Sequence, residues 1–229
     1  MTSLPNACNT PRELSTLGRP LPRFGEALRR SNGVTIVASK DASYPSRLHV
    51  ALSARFPGNK INVLNLGVGA QEAPDEAARF KKDVSANNRS LVIWQVGTNA
   101  AWKDYYLDDV KAAILRGLDH HLGVPADIIL MNLQYAPAVL DQQQPTPATR
   151  AMLDIIARIA ADSELALFRR FEIMRHWHVV DGIPFNQMIS NFDGNWFHQN
   201  DWSYNCIAEA LCDGIVEVAS NDRAGLGAT

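Results

Sequence analysis

Short apolar runs alternate with longer segments of helical period along most of the chain. Most of the short runs are apolar throughout, as strands are when a sheet is covered on both faces. Five strands are predicted, at Val34–Ala38, Ile61–Asn65, Leu91–Val96, Asp127–Met131 and Ala166–Arg169. The alternation predicts one doubly wound α/β domain, with a parallel sheet and helices on both of its faces.

Between these strands, apolar residues recur at the spacing of one helix face. The faces are formed by Leu48, Leu52 and Phe56, by Val110, Ile114 and Leu118, and by Met152, Ile155, Ile156 and Ile159. A final helix carries Cys206 and Leu211, with Asn200 or Asp201 as its N-cap. The polar stretch 141–147 is expected to be a loop before a helix. Residues 1–32 are expected to form an N-terminal arm, and residues 33–229 the single domain.

The composition fits one domain and narrows the class of partner. The chain has 229 residues, of which 46% are hydrophobic and 20% are charged. Its 22 basic and 24 acidic residues leave a net charge of -2. No basic run offers itself to phosphate backbones, so nucleic acid is not expected as a partner. The longest apolar runs are far shorter than the ~20 residues of a membrane span.

The start of the chain and its cysteines bear on the compartment. The first residues have no basic region followed by an apolar stretch, which favours the cytoplasm, with a processed secreted form as the alternative. Cys206 and Cys212 are six residues apart on a predicted helix, which places them on different turns. Together with Cys8 they are expected to be reduced, buried thiols. The sequence implies neither a metal nor an organic cofactor, and it leaves the oligomeric state open.

Candidate catalytic residues are expected after each strand, because ligands of doubly wound sheets bind beyond the carboxyl ends of the strands. The first strand is followed by Ser39 and Ser43. A hydroxyl at a strand-to-helix turn can act as a nucleophile or as a helix N-cap, and for Ser43 taken alone the cap is preferred. The second strand is followed by Gly67, Gly69 and Ala70, in a turn whose glycines let backbone N–H groups point at an oxyanion.

Two further side chains suit the same chemistry. Asn99 follows the third strand, where its amide can either donate to an oxyanion or stabilise a turn. His198 stands just before the last helix, with Asp193 five residues upstream. A histidine and an acid in this order supply a general base and the carboxylate that orients it. Trp102, three residues after Asn99, is expected either to line a pocket wall or to cover a helix.

The order of these segments resembles the SGNH hydrolase superfamily, also called GDSL-type esterases and lipases. The resemblance rests on Val63–Gly69, on Val92–Asn99 with its Gly-x-Asn, and on His198–Tyr204. It implies a three-layer α/β/α fold of the flavodoxin-like type with about five parallel strands. It also implies acyl transfer from a small-molecule ester to water, by a serine nucleophile, a histidine base and an aspartate usually three residues before the histidine. The implied oxyanion hole combines the serine N–H, a glycine N–H of the second segment and the side chain of Asn99.

The first two segments depart from the family pattern. The Gly-Asp-Ser or Gly-Ser-Ser that normally follows the first strand is replaced by residues 40–42, which read Lys-Asp-Ala. Ala42 therefore stands at the expected place of the nucleophile, and Ser43 or Ser39 must supply it. Ala70 stands where the second segment usually has its oxyanion glycine. This change is mild, because a backbone N–H serves whatever the side chain is.

The segment around the histidine departs as well. Asn195 stands three residues before His198, and Asp193 lies two residues further upstream. Either Asp193 reaches the imidazole through a bulged turn, or Asn195 orients it as an amide does in some Cys-His-Asn sites. A carboxylate is the better group for stabilising the imidazolium.

Two functions fit these residues. The first is hydrolysis of carboxylic esters or related acyl substrates, in which Ser43 or Ser39 attacks, His198 acts as the base and Asp193 orients it. Its oxyanion hole is formed by Asn99 and the backbone of Gly69 and Ala70. The alternative is a catalytically inactive binding protein of the same fold that has lost its nucleophile. A reactive serine labels with an organophosphonate and a cap serine does not.

Overall fold

A computed structural model describes residues 8–30, 34–38, 44–85, 89–103, 105–191 and 194–225. The strands are β1 (Val34–Ala38), β2 (Ile61–Asn65), β3 (Leu91–Gln95), β4 (Asp127–Met131), β5 (Leu140–Asp141), β6 (Gln144–Pro145), β7 (Ala166–Phe168), β8 (Ile189–Ser190) and β9 (His198–Gln199). The helices are α1 (Arg12–Ser15), α2 (Pro22–Arg30), α3 (Tyr44–Arg55), α4 (Ala73–Phe80), α5 (Thr98–Trp102), α6 (Leu107–Asp119), α7 (Pro147–Asp162), α8 (Arg170–Val179), α9 (Phe185–Met188) and α10 (Asp201–Gly225). A π-helical turn follows α4 at Lys81–Ser85, and a 3-10 turn lies at Pro137–Val139.

The main sheet has the strand order β2-β1-β3-β4-β7, and its neighbouring strands are parallel. The predicted helix-and-parallel-sheet class is therefore confirmed. The chain moves outward from β1 to β2 and then crosses back to β3, so the order reverses between β1 and β3. Ligands of such sheets bind beyond the carboxyl ends of the strands at this reversal.

The burial of the strand residues depends on whether the strand is central or at the edge of the sheet. Residues 91–94 of β3 and 128–131 of β4 are buried, because both strands have neighbours on each side and helices above them. On the edge strand β2, Asn62 and Asn65 are exposed. The third strand ends at Gln95 and not at Val96, although the Val96 N–H still donates to the Met131 carbonyl at 3.2 Å. The fifth main-sheet strand ends at Phe168, because α8 begins at Arg170.

The helices pack in two groups. In one group α3 packs against α10, and in the other α6 contacts both α4 and α7. The helix faces predicted around Leu48, Val110 and Met152 lie on α3, α6 and α7, and these three residues are buried. Asn200 caps α10, since its Oδ1 accepts the Ser203 N–H at 3.0 Å. No helix in the described part of the chain is long and apolar enough to cross a membrane.

The predicted arm and the predicted loop at 141–147 both contain regular structure. Residues 8–30 of the arm include α1 and α2, and the side chains of Leu17, Leu21 and Phe24 are buried in the core. The Leu17 carbonyl accepts the Leu167 N–H of the edge strand β7 at 3.2 Å. The polar stretch 141–147, expected to be a loop, lies on the small antiparallel pair of β5 and β6. A boundary at residues 32 and 33 stays a prediction.

The expectation that all three cysteines are reduced is wrong. Cys8 and Cys206 form a disulfide, while Cys212 is a buried free thiol. The spacing of Cys206 and Cys212 on the last helix carries no information about the position of Cys8. Cys8 is 198 residues from Cys206, and it reaches α10 because α1 and α2 both pack against that helix.

Candidate active site

A cleft lies beyond the carboxyl ends of β2, β3 and β4, at the edge of the sheet where ligands are expected. Four segments line it. They are the β2–α4 connection with the start of α4, the end of β3 with the start of α5, Gln134 after β4, and β9 with the residue before it. The described lining residues are Gly67, Val68, Gln71, Glu72, Ala73, Glu76, Gln95, Val96, Gly97, Thr98, Asn99, Gln134, Phe197 and His198. Asn99 and His198, both predicted from the sequence, therefore lie on one cleft.

Asn99 is placed by the turn between β3 and α5. Gly97 precedes α5 with a φ of 88°, a left-handed conformation that suits glycine. The Asn99 amide nitrogen donates to the Gln71 carbonyl at 3.4 Å. An amide NH2 carries two hydrogens, so this contact leaves the second one to donate to a ligand in the cleft.

The β2–α4 turn forms the opposite lip of the cleft. The Gly67 N–H donates to Asn65 Oδ1 at 3.3 Å, and the Gln71 N–H donates to the Val68 carbonyl at 3.3 Å. Ala70 adopts the left-handed φ of 63° that this turn requires. Gly69 and Ala70 form the turn itself, whereas Gly67, Val68 and Gln71 line the cleft. The oxyanion role of the Gly69-Ala70 backbone stays a prediction.

The position of His198 is restricted by pairing between two short strands and by a hydrogen bond to the carbonyl of the preceding residue. β9 pairs with β8 so that His198 lies opposite Ser190. The side chain of Gln134 donates from Nε2 to the carbonyl of Phe197, the residue before His198. The Phe197 ring meets the imidazole edge-on, with 5.3 Å between the ring centroids.

The segment that leads to His198 is sharply bent. Gly194 has a φ of 75° and Trp196 a φ of 49°, so two of three successive residues are left-handed. Between them, the side chain of Asn195 is exposed. Asp193, the predicted orienting acid, lies outside the described residues.

The predicted nucleophiles also lie outside the described residues, which stop at Ala38 and resume at Tyr44. This gap contains Ser39, Ala42 and Ser43. Ala38, the last residue of β1, pairs with Asn65 of β2 and with Ile93 of β3. The one hydroxyl among the described lining residues belongs to Thr98.

Thr98 is poorly suited to attack a substrate. Its side chain is buried, and its Oγ1 accepts the Gln134 N–H at 3.4 Å and an Arg170 guanidinium N–H at 3.3 Å. A nucleophilic hydroxyl needs a base to take its proton, whereas these two contacts are donors to the oxygen. Thr98 therefore belongs to the support of the cleft.

Two carboxylates of α4 and its N-cap give the cleft an acidic wall that the sequence analysis missed. Burial raises the pKa of Glu72, and the nearby Lys103 ammonium, 3.5 Å away, acts in the opposite direction. Glu76 Oε2 accepts the indole N–H of Trp94 at 2.8 Å. Acids in the first turn of a helix are ordinarily assigned to the helix dipole, so the sequence carried no signal that these two face a cleft.

Trp102 lies beside the cleft on α5. Its ring stacks on Phe197, with 4.7 Å between the centroids and 28° between the planes. The residue remains 38% exposed, and the Lys103 ammonium lies 6.0 Å from the centroid of its ring. Trp102 is not among the described lining residues of the cleft, and both of its expected roles stay predictions.

The described residues contain no group of three or more histidines, cysteines and acids able to hold a metal ion.

Comparison with known proteins places the chain among lipase- and esterase-like proteins. The model of the non-GDSL lipase-like family matches residues 7–221. The prediction of a lipase- and esterase-like protein is thus confirmed, whereas a degenerate GDSL segment stays a prediction. None of the curated proteins compared with the chain matches it in sequence.

Solved structures of two esterases share the fold. Axe2, an acetylxylan esterase from Geobacillus stearothermophilus, matches with a TM-score of 0.66 and 18% identity, covering 80% of this chain and 93% of its own. The acetyl xylan esterase AlAXEase matches with a TM-score of 0.64 and 15% identity, covering 78% and 97%. Catalytic mutants of Axe2, in which a serine, an aspartate or a histidine is replaced by alanine, match as well. The mutated aspartate and histidine of Axe2 are three residues apart.

Proposed function

Because the chain belongs to the non-GDSL lipase-like family, we propose that it hydrolyses carboxylic esters through a serine, a histidine and an acid. One observation carries the proposal. Asn99 and His198 are 99 residues apart in the chain and line the same cleft beyond the carboxyl ends of the sheet. An amide donor and an imidazole on one cleft supply an oxyanion contact and a general base.

In the proposed reaction, Ser43 or Ser39 attacks the ester carbonyl while His198 takes the hydroxyl proton. The Asn99 amide donates to the oxygen that becomes negative in the tetrahedral intermediate. When the intermediate collapses, the C–O bond to the alcohol breaks and His198 returns its proton to the leaving oxygen. Water then attacks the acyl-enzyme in the same way, which releases the carboxylic acid and restores the serine.

We assign the orientation of His198 to Asp193. The acid of Axe2 lies three residues before its histidine, and here that position is Asn195. Asp193 lies five residues before His198, and the bent segment at Gly194 and Trp196 is the kind of bulge that makes up such a difference. A carboxylate also stabilises the imidazolium better than an amide does.

The substrate we propose is an acetyl ester of a sugar. Axe2 and AlAXEase are acetylxylan esterases, which suggests the acyl group and the class of alcohol. The stacked and partly exposed Trp102 offers an aromatic face to a sugar ring, and the polar wall at Gln71 and Glu72 offers acceptors for its hydroxyls.

Two further features complete the proposal. The two helix groups cover opposite faces of the sheet, which gives a three-layer α/β/α fold of the flavodoxin-like type. For the compartment we propose an oxidising one, which is the alternative of a processed secreted form. The Cys8–Cys206 disulfide supports this assignment, because disulfides persist where thiols are not kept reduced.

Labelling with a fluorophosphonate tests the mechanism. The wild-type protein is expected to label at Ser43 or Ser39, as identified by mass spectrometry of the labelled peptide, and to hydrolyse p-nitrophenyl acetate. His198→Ala is expected to lose about a hundredfold or more in both rates, because it removes the general base. His120→Ala replaces an exposed histidine at the end of α6 and is expected to match the wild type.

Alanine variants of Ser43 and Ser39 then show which hydroxyl attacks. Absence of labelling and of hydrolysis in the folded wild-type protein, beside a reactive control esterase, would contradict the serine mechanism. That result would favour the inactive binding protein of the same fold.

A further inference from the structure

Beneath the cleft, side chains that follow three neighbouring strands are joined by hydrogen bonds. Arg170 begins α8 two residues after the end of β7, and it is 1% exposed. One of its guanidinium nitrogens donates to Gln95 Oε1 at the end of β3, at 2.8 Å. Another donates to Thr98 Oγ1 at 3.3 Å. A buried guanidinium thus ties the edge strand to the start of α5.

The same network continues across the cleft floor through Gln134. This residue is 5% exposed and follows β4. Its N–H donates to Thr98 Oγ1 at 3.4 Å, and its side-chain Nε2 donates to the Phe197 carbonyl. Thr98 is the residue before Asn99, and Phe197 is the residue before His198. Gln134 therefore connects the backbone segments that carry both described residues of the candidate site.

The Phe197 carbonyl is a sensitive place for such a contact. On its C-terminal side, His198 belongs to β9, which is two residues long and pairs with β8 alone. On its N-terminal side lies the bend at Gly194 and Trp196. A two-residue strand pair is a weak restraint, so an additional buried donor at Phe197 restricts where the imidazole lies.

The cost of burying these groups also points to a role in the site. Burying an amide or a guanidinium is unfavourable unless its hydrogen bonds are made. Apolar residues of similar shape often stabilise a core equally well, so stability alone does not explain these buried polar side chains. A hydrogen-bonded buried network restricts its members to few arrangements. Such a restriction is useful where two groups from distant parts of the chain must act on the same carbonyl.

We propose that Gln134 is a positioning residue for ester hydrolysis, which fixes His198 relative to Asn99 by holding the Phe197 carbonyl. The proposal rests on the proposed function for its effect on catalysis. Gln134 does not touch the reacting atoms. It acts through the backbone on either side of the cleft.

The test replaces Gln134 with methionine, which has a similar unbranched shape and no N–H donor. Gln144→Met makes the same substitution at an exposed residue of β6 and serves as the control. For p-nitrophenyl acetate, kcat of Gln134→Met is expected to fall by about tenfold to a hundredfold with KM nearly unchanged, because misplacement of a catalytic group affects the chemical step. The melting temperature is expected to fall by a few degrees, because the buried Phe197 carbonyl loses its donor. A rise in KM with kcat unchanged would overturn the proposal.

A second readout does not depend on activity. The imidazole C–H signals of His198 are identified in the NMR spectrum by their absence from His198→Ala. In Gln134→Met these signals are expected to shift, while those of the other five histidines stay in place. In Gln144→Met none of the six is expected to shift.

The two readouts separate the proposals. If the wild type hydrolyses no ester and labels with no phosphonate, the proposed function fails, and a selective shift of His198 still supports the positioning role. If the His198 signals of Gln134→Met coincide with those of the wild type, the positioning role is overturned whatever the activity. Should Gln134→Met fail to fold, Gln134→Asn, whose amide is one carbon shorter, is subjected to the same two measurements.

Discussion

Replacing Gly97 with alanine perturbs both the core and the cleft, because this residue immediately precedes the helix that carries Asn99. Its φ of 88° is left-handed, and a Cβ built there would lie 2.8 Å from Met152 Cγ and 3.0 Å from Ile156 Cδ1. Both neighbours are fully buried on α7. Alanine at this position is therefore strained in its backbone and also short of space.

The magnitude follows from these two costs. A left-handed conformation costs a residue with a Cβ about 1–2 kcal/mol, and forcing an extra carbon into a packed core costs about 1–3 kcal/mol. Gly97→Ala is expected to lower the free energy of unfolding by about 2–5 kcal/mol. Gly123 provides the matched control, since its φ is 85° and nothing lies within 4 Å of its Cβ position. Gly123→Ala is expected to cost about 1–2 kcal/mol.

Urea denaturation of both variants measures how much each substitution lowers the free energy of unfolding. The entropy that alanine removes from the unfolded chain is common to the two substitutions and cancels when one is subtracted from the other. The remaining difference, about 1–3 kcal/mol, reports the crowding against α7. Gly97→Ala is also expected to lose more esterase activity than Gly123→Ala, because any relief of the crowding moves Asn99. Destabilisation by the two substitutions that agrees within about 0.5 kcal/mol would refute the reasoning.

Three further predictions concern other parts of the molecule. Cys8→Ser is expected to lower the free energy of unfolding by about 2–5 kcal/mol in denaturant, and reductant should lower wild-type stability and leave the variant unchanged. Burial lowers the pKa of His121 from 6.5, so the stability that depends on its neutral form is complete above that pH and is lost as the pH falls. Acidification from about pH 7 to 5 should therefore destabilise His121→Gln less than the wild type, as urea denaturation at the two pH values measures. Trp102→Ala should raise KM for acetylated xylo-oligosaccharides about fivefold more than it raises KM for p-nitrophenyl acetate, because it removes a stacking face for the sugar ring.

The main sheet could be predicted because its strands are marked by local composition. Ile128 to Met131 are apolar on both faces, and the structure buries all four between neighbouring strands and helices. The structure of the arm was harder to predict. Proline and arginine residues in and near α2 obscure the apolar pattern of the buried Leu21 and Phe24. The disulfide depends on contacts between segments 198 residues apart, and spacing along a single helix carries no information about them.

The candidate site divides in the same way. Asn99 and His198 were recognisable because each lies in a segment whose neighbours also fit a pattern, the strand before Asn99 and the capped helix after His198. Glu72, Glu76 and Gln134 carried no such signal. Their roles depend on which strand ends are adjacent, and that adjacency is set by the strand order and not by the spacing of residues in the sequence.

The bend before His198 lies where this chain departs from the family pattern. Trp196 has a Cβ and nevertheless adopts a left-handed conformation, which costs about 1–2 kcal/mol and persists only where the surrounding contacts favour it. The contact of Gln134 with the Phe197 carbonyl and the stacking of Phe197 on Trp102 lie immediately after it. A strained residue next to these contacts is better explained by the placement of its neighbour His198 than by stability.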